Sequence, residues 1–174
     1  MKNAMLDLLK TRRSIRQYQD KQVAAGELDA VLEAGTFAPS GKGAQSATIV
    51  AVQNKDTVAQ LSRMNAKVMG VDKDPYYGSP TILIVFSDSE KPTYVQDGCC
   101  VLMNMMHAAH ALGLGSCWIN REKEMFESPE GKELMKAWGV PQNLVGIGAL
   151  AFGYPEGDPA QPAPRKKDYI VKVG

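Results

Sequence analysis

The sequence predicts an α+β sandwich, and three observations carry that reading. Short runs rich in β-branched residues, at 47–53, 81–87 and 143–154, are separated by segments of helical periodicity. Their order along the chain does not follow the strict strand–helix alternation of a doubly wound sheet. No Gly-x-Gly-x-x-Gly lies between a strand and a helix, so a Rossmann-type nucleotide site is not indicated.

Taken in order, Asn3 caps a first helix with Met5, Leu8 and Leu9 on one face. A second helix over residues 25–37 carries Leu28, Val31, Leu32 and Gly35 on one side. It stops at Ala38-Pro39-Ser40-Gly41-Lys42-Gly43, a loop dense in helix breakers. Residues 47–53 form a buried strand, 57–68 a helix, 72–80 a loop and 81–87 a second buried strand. The longest helical segment spans 94–112, where Val95, Cys99, Leu102, Met103, Met106, Ala109 and Leu112 are apolar, and so are Val101, Met105 and Ala108. A helix apolar over most of its circumference requires neighbours on nearly every side. A partner subunit supplies them more readily than one layer of this chain, which favours a homodimer over a monomer with a central helix. A strand starts in 115–120, 122–138 is helical with Ser128 capping at Pro129, and 143–154 is strand-like. Residues 157–167 read as a proline-rich, basic, extended arm, with a short strand expected at 169–173.

With 174 residues and 44% hydrophobic content, the chain can bury a real core, and residues 1–174 are expected to form a single domain. A net charge of +1 exerts no global pull on nucleic acid or on an anionic membrane, so any phosphate recognition is local. Three cysteines without metal-ligand spacing, together with nine methionines, fit a reducing cytoplasm. The first ten residues alternate polar and apolar and do not read as a secretory signal. No apolar run reaches the length of a membrane span.

The chemistry-bearing residues fall into four blocks. Arg12-Arg13-Ser14-Ile15-Arg16 puts three guanidinium groups and a hydroxyl in one short stretch, which suits a phosphate. By itself the block reads equally as a solvated basic helix end. Pro39-Ser40 is by itself a helix stop. Gly113-Leu114-Gly115-Ser116-Cys117-Trp118-Ile119 reads as a helix C-cap and buried strand, or as a glycine-bearing wall that lets the backbone approach a flat ring. Arg165, Lys166 and Lys167 read as a solvated terminal charge run or a second phosphate group. His107 and His110 stand one turn apart at a zinc-compatible spacing, but no third ligand accompanies them and no metal is expected. Asp97 reads as structural.

The ordered set of blocks, over residues 10–167, resembles the nitroreductase family of FMN-dependent oxidoreductases, in its small-chain branch. The resemblance implies an α+β fold with a central, mainly antiparallel sheet flanked by helices. It also implies a homodimer with the long helix near the two-fold axis and the flavin at the interface. FMN would be held by Arg12, Arg13, Ser14 and Arg16 around the phosphate and ribityl chain. Pro39, Ser40 and Gln45 would lie against the ring. Cys117, Trp118, Ile119 and Asn120 belong to the strand beside flavin N5, with Trp118 and Ile119 covering the ring and a backbone N–H near Asn120 donating to N5. Cys117 itself is read as a packing residue. Arg165 would close over the phosphate, with Lys166 and Lys167 as alternatives, and Arg16 and Lys42 would face the ring's N1–C2=O edge.

No catalytic side chain is expected, because flavin N5 carries the chemistry. Hydride would pass from NADH or NADPH to a nitroaromatic, quinone or similar small-molecule acceptor in a ping-pong cycle. Dehalogenation, flavin cleavage and non-catalytic flavin binding are the alternatives. The loop with Tyr76 and Tyr77 reads as a lid over the ring or as a packed tyrosine pair. The chain departs from the family pattern in three places: one extra residue precedes the aromatic Tyr18, Gly43 with Ser46-Ala47 replaces an Asn-x-Gln-Pro-Trp version, and the proline after Arg-Lys is missing.

Overall fold

A computed structural model describes residues 2–174. Six helices and four strands appear in the order α1 (Ala4–Thr11), α2 (Ala25–Thr36), β1 (Ala47–Val52), α3 (Lys55–Met69), β2 (Thr81–Asp88), α4 (Tyr94–Ala111), β3 (Gly115–Ile119), α5 (Glu122–Glu127), α6 (Pro129–Ala137) and β4 (Leu144–Gly153). Caps fix several boundaries. The Asn3 side chain accepts from the N–H groups of Met5 and Leu6, and Asn54 accepts from that of Thr57. Ser128 accepts from Gly131 with Pro129 in the first turn, which splits the 122–138 segment into α5 and α6.

The strands form one antiparallel sheet in the order β1-β2-β4-β3. Side chains alternate between its faces, so each strand feeds two cores. Ile82, Ile84 and Phe86 pack with Leu61, Met64, Met125 and Phe126 under α3, α5 and α6. Leu83, Val85, Leu150 and Phe152 pack with Val31, Leu102 and Met105 under α2 and α4. All seven residues from Thr81 to Ser87 are buried, as expected of a central strand covered on both sides.

The arm after Tyr154 departs from the sequence reading. Residues 169–173 form no strand: a single 3-10 turn covers Lys167–Tyr169 and irregular chain follows. Tyr169, Ile170, Val171 and Val173 are 70, 74, 84 and 94% exposed. A strand needs a neighbour to receive its N–H and C=O groups, and this segment has none among the described residues. In α4 the core shared with α2 buries Val101, Leu102, Met105, Met106 and Ala109, while Val95 and Met103 stay exposed and Cys99 and Cys100 are half-buried. One stripe of this apolar helix is therefore left uncovered by its own chain.

Candidate functional site

Backbone pairing pins the first arginine block to the sheet. After α1 the chain runs beside β3, where the Ile15 N–H donates to the Ser116 carbonyl at 3.0 Å and Ser14 bridges Ser116 in parallel. Two residues on, Glu156 N–H donates to the Gln17 carbonyl, and Tyr18 bridges Pro155. The buried Tyr18 hydroxyl reaches the carbonyls of Ile15 and Ala151 at 2.7 and 2.9 Å, fixing this segment from beneath. Burial drives the Tyr18 phenol far above its ordinary range, so it stays a neutral donor.

This pairing aligns two adjoining hollows. The first, about 220 Å³, is bounded by Arg12, Arg13, Ser116 and Gly113, with Pro155, Gly157 and Pro159 from the start of the arm. The second, about 360 Å³, is bounded by Ser14, Arg16 and Gln17 with arm residues 156–160. Arg12 is half-buried, and its Nη1 is buried without a hydrogen-bond partner. Burial and the neighbouring Arg13 charge both disfavour its cation. A desolvated guanidinium nitrogen with nothing to bond is an unbalanced cost in the free chain, and an oxyanion would offset it.

The other members of the block have protein partners. Arg13 forms no ion pair among the described residues: its Nη1 donates to the carbonyls of Lys10 and Arg12 at 2.7 and 2.6 Å. Arg16 is exposed and lies over the Tyr77 ring, 5.7 Å from its centroid, and the Tyr77 side chain favours its cation. Ser14 and the charges of Arg12 and Arg16 act on the Cys117 thiol, but burial outweighs them and pushes that thiol up. Cys117 is a buried neutral packing residue, as its apolar setting suggested.

Residues 117–120 split between environments. Cys117 and Ile119 sit in the core under α3 and α5, whereas Trp118 faces the α2 and α4 side. Adjacent strand residues point to opposite faces, so the side chains of Trp118 and Ile119 do not cover one surface together. Trp118 Nε1 donates to the Asn120 side chain at 2.9 Å, and Asn120 is exposed.

The Pro39-Ser40 loop lies elsewhere. Pro39, Ser40 and Gln45 line a cavity of about 400 Å³ with Leu32, Ile49, Val101 and Asp97. Asp97 is the anchor. It accepts from the Gly41 N–H at 2.9 Å, the Ser46 hydroxyl at 3.0 Å and the Thr93 hydroxyl at 3.1 Å. A Cβ at Gly41 would collide with the Thr93 side chain, so the loop closes against α4 only because residue 41 is glycine. This loop meets the start of α4, at Thr93 and Asp97. The arginine block meets its end, where the Thr11 hydroxyl shares a hydrogen bond with His110 Nε2 at 2.9 Å. Thirteen helical rises carry the chain from Asp97 to His110, about 20 Å. Within one chain, the two halves of the sequence-derived site stand at opposite ends of α4.

Arg165, Lys166 and Lys167 are exposed and make no contact with the arginine block in this chain. Arg165 donates to the Ala163 carbonyl, and Lys166 lies over the Tyr169 ring. Tyr76 does not belong to a lid, because it is wholly buried, whereas Tyr77 beside it is 40% exposed. Among the described residues, no three His, Cys, Asp or Glu side chains gather around a common metal position, and no helix is long and apolar enough to cross a membrane.

Sequence reasoning missed one cluster. Asn65, Tyr76 and Glu122 are each wholly buried and hydrogen-bonded together beside Asn120 and Arg121. The signal available was a polar residue, Asn65, beside Leu61 and Met64 on the apolar stripe of α3.

The chain belongs to the nitroreductase family, whose model matches residues 9–154. A crystal structure of a nitroreductase with bound FMN from Bacteroides fragilis superimposes with a TM-score of 0.92 at 32% identity, covering 99% of this chain and all of that one. Two archaeal proteins assigned as NADH dehydrogenase/NAD(P)H nitroreductase are each 29% identical over 159 residues. The one from Methanothermobacter thermautotrophicus aligns over 89% of this chain and 79% of its own length; the one from Archaeoglobus fulgidus over 87% and 85%.

Proposed function

We propose that this chain is an FMN-dependent oxidoreductase of a reducing, cytoplasmic compartment, acting as a homodimer of single-domain subunits. The observation that carries the reading is the unpartnered, buried Arg12 Nη1 in a hollow walled by Ser116 and Arg13, a site suited to a phosphate dianion. Bound FMN would supply hydride transfer from NADH or NADPH to a nitroaromatic, quinone or similar acceptor, by turns in one pocket. Arg12 would bind the phosphate with the Arg13 charge beside it, and Ser14 would bind the phosphate or ribityl chain. Arg16 would set positive charge near the ring from its place over Tyr77. Arg165, or its neighbours Lys166 and Lys167, would close on the phosphate by a swing of the arm. Cys117 and Ile119 would shape the wall from inside, with Trp118 and Asn120 at its surface.

A second copy is needed to unite the halves of the site. A two-fold axis across the middle of α4 sets two such helices antiparallel, bringing the Pro39, Ser40 and Gln45 loop of one chain to the arginine block of the other. The uncovered stripe of α4, with Val95 and Met103 exposed, supports that arrangement.

The test is direct. Purified protein should be yellow, release FMN on denaturation, and oxidise NADH or NADPH when a quinone or nitroaromatic is present. A protein that stays colourless after reconstitution with FMN would falsify the reading. One that holds FMN yet turns over with no donor–acceptor pair is a binder and not an oxidoreductase.

A further inference from the structure

Arg121 adopts a conformation that side-chain-bearing residues avoid. Its φ of 87° lies in the left-handed region, and it joins the end of β3 to α5. Such a conformer persists only where its surroundings hold it. Here Asn65, from α3, holds both sides of the turn: its Nδ2 donates to the Asn120 carbonyl at 2.9 Å, and its Oδ1 accepts from Arg121 Nε at 2.7 Å. Asn65 is held in turn, since Nδ2 also lies 3.3 Å from the Tyr76 hydroxyl, which donates to Glu122 Oε1 at 3.0 Å. All three of these side chains are wholly buried.

The consequence follows from peptide geometry. In a trans peptide, C=O and N–H point in opposite directions. Drawing the Asn120 carbonyl inward to Asn65 therefore sends the Arg121 N–H outward, toward the side where Asn120 is exposed. That N–H has no protein acceptor among the described residues. Tyr77, next to Tyr76, meets Arg16, so the turn and the cationic block are linked by two adjacent residues.

We propose that Asn65, braced by Tyr76 and Glu122, is a positioning residue that aims the Arg121 N–H at the reacting edge of the bound flavin. The inference rests on the functional reading above. Asn65 touches neither cofactor nor substrate and acts through the Asn120–Arg121 peptide alone.

Asn65→Ala should keep FMN content within about twofold of wild type, because the phosphate contacts lie elsewhere. It should shift the flavin's two-electron midpoint potential and slow flavin reduction by NADH about tenfold or more, the scale on which losing one aimed donor acts. Asn65→Asp, which retains size and the acceptor for Arg121 but lacks the donated N–H, should move both in the same direction and guards against a folding defect. Glycine occupies the left-handed region freely. Arg121→Gly in the Asn65→Ala background should therefore recover part of the rate.

Unchanged potential and reduction rate in both Asn65 variants would overturn the proposal. So would a loss that Arg121→Gly does nothing to recover, since core packing would then account for it. A wild-type chain that takes no FMN defeats the functional reading itself, which keeps the two failures apart.

Discussion

Arg12 and Arg16 carry the same side chain four residues apart, yet their surroundings assign them unequal weights. Arg12 is desolvated with an unsatisfied Nη1, while Arg16 is exposed and already engaged by Tyr77. A charge-assisted bond made by a buried donor contributes more than one screened by water. Arg12→Ala should therefore weaken FMN binding by about 1.5–3 kcal/mol, roughly a ten- to hundredfold rise in Kd. Arg16→Ala should cost less, about 1 kcal/mol or below. Titration of apoprotein with FMN, followed by fluorescence quenching, measures both, and equal losses would refute this ranking. Glu122 offers a second test at the same scale. Burial raises its carboxyl to about 8, outweighing its own backbone hydrogen bond, the Tyr76 hydroxyl and the Arg121 charge, all of which lower it, while Glu124 adds to the rise. Between the ordinary carboxyl range and about 8, the folded chain holds a proton that the unfolded chain has released. Stability should thus decline as pH rises through that window and level off above it, by at most about 1.4 kcal/mol per pH unit from this group. Glu122→Gln, neutral throughout, should flatten that part of the slope in urea titrations run at several pH values.

Elements turn these side chains into a site, and α4 with its flanking loops does most of that. Asp97 ties the Pro39-Ser40 loop to the start of α4 through three donors, from Gly41, Ser46 and Thr93. Asp97→Ala strands those donors in a partly buried setting and should destabilise the fold by about 2–4 kcal/mol. Thermal melts of the two proteins check this, and an unchanged midpoint would remove Asp97 as the anchor. The elements themselves were largely legible: the β-branched runs became β1, β2 and β4, and Asn3 and Ser128 cap helices as their chemistry predicts. Periodicity is local, so it reads well wherever a strand or helix satisfies itself among its neighbours. It failed at Tyr169, Ile170 and Val171, whose strand pattern finds no ladder among the described residues to join. The arginine block was visible as a motif, yet nothing local could tell that Arg12 is desolvated and Arg13 is spent on backbone carbonyls. Tyr76 and Glu122 were harder still. They lie 46 residues apart, and only the packing of the loop between α3 and β2 against α5 makes them partners.

At the scale of the whole molecule, the question is how a chain that separates its site halves by the length of α4 assembles one site. On the proposed homodimer, the exposed stripe on α4 and the placement of the two loops answer together: burying the stripe against a two-fold mate would also close the distance. Met103 lies near the middle of that helix and is 40% exposed in the single chain. In an antiparallel helix pair centred there, Met103 of each copy lies close to the axis, so a charge introduced on one chain meets its own twin. Two like charges in a desolvated contact carry both a burial cost and mutual repulsion. Met103→Glu should therefore leave the monomer fold intact, since the side chain is partly solvated there, while dissociating the dimer at micromolar concentration. FMN should be lost in step with dissociation, because the ring would lose the Pro39-Ser40 wall while the arginine block kept only the phosphate. Sedimentation velocity with absorbance read at both protein and flavin wavelengths records the two events in one experiment. A variant that sediments as a monomer and still carries a full complement of flavin would mean that each chain holds its cofactor alone. The arrangement across α4 would then have to be abandoned, even with the phosphate contacts of Arg12 intact.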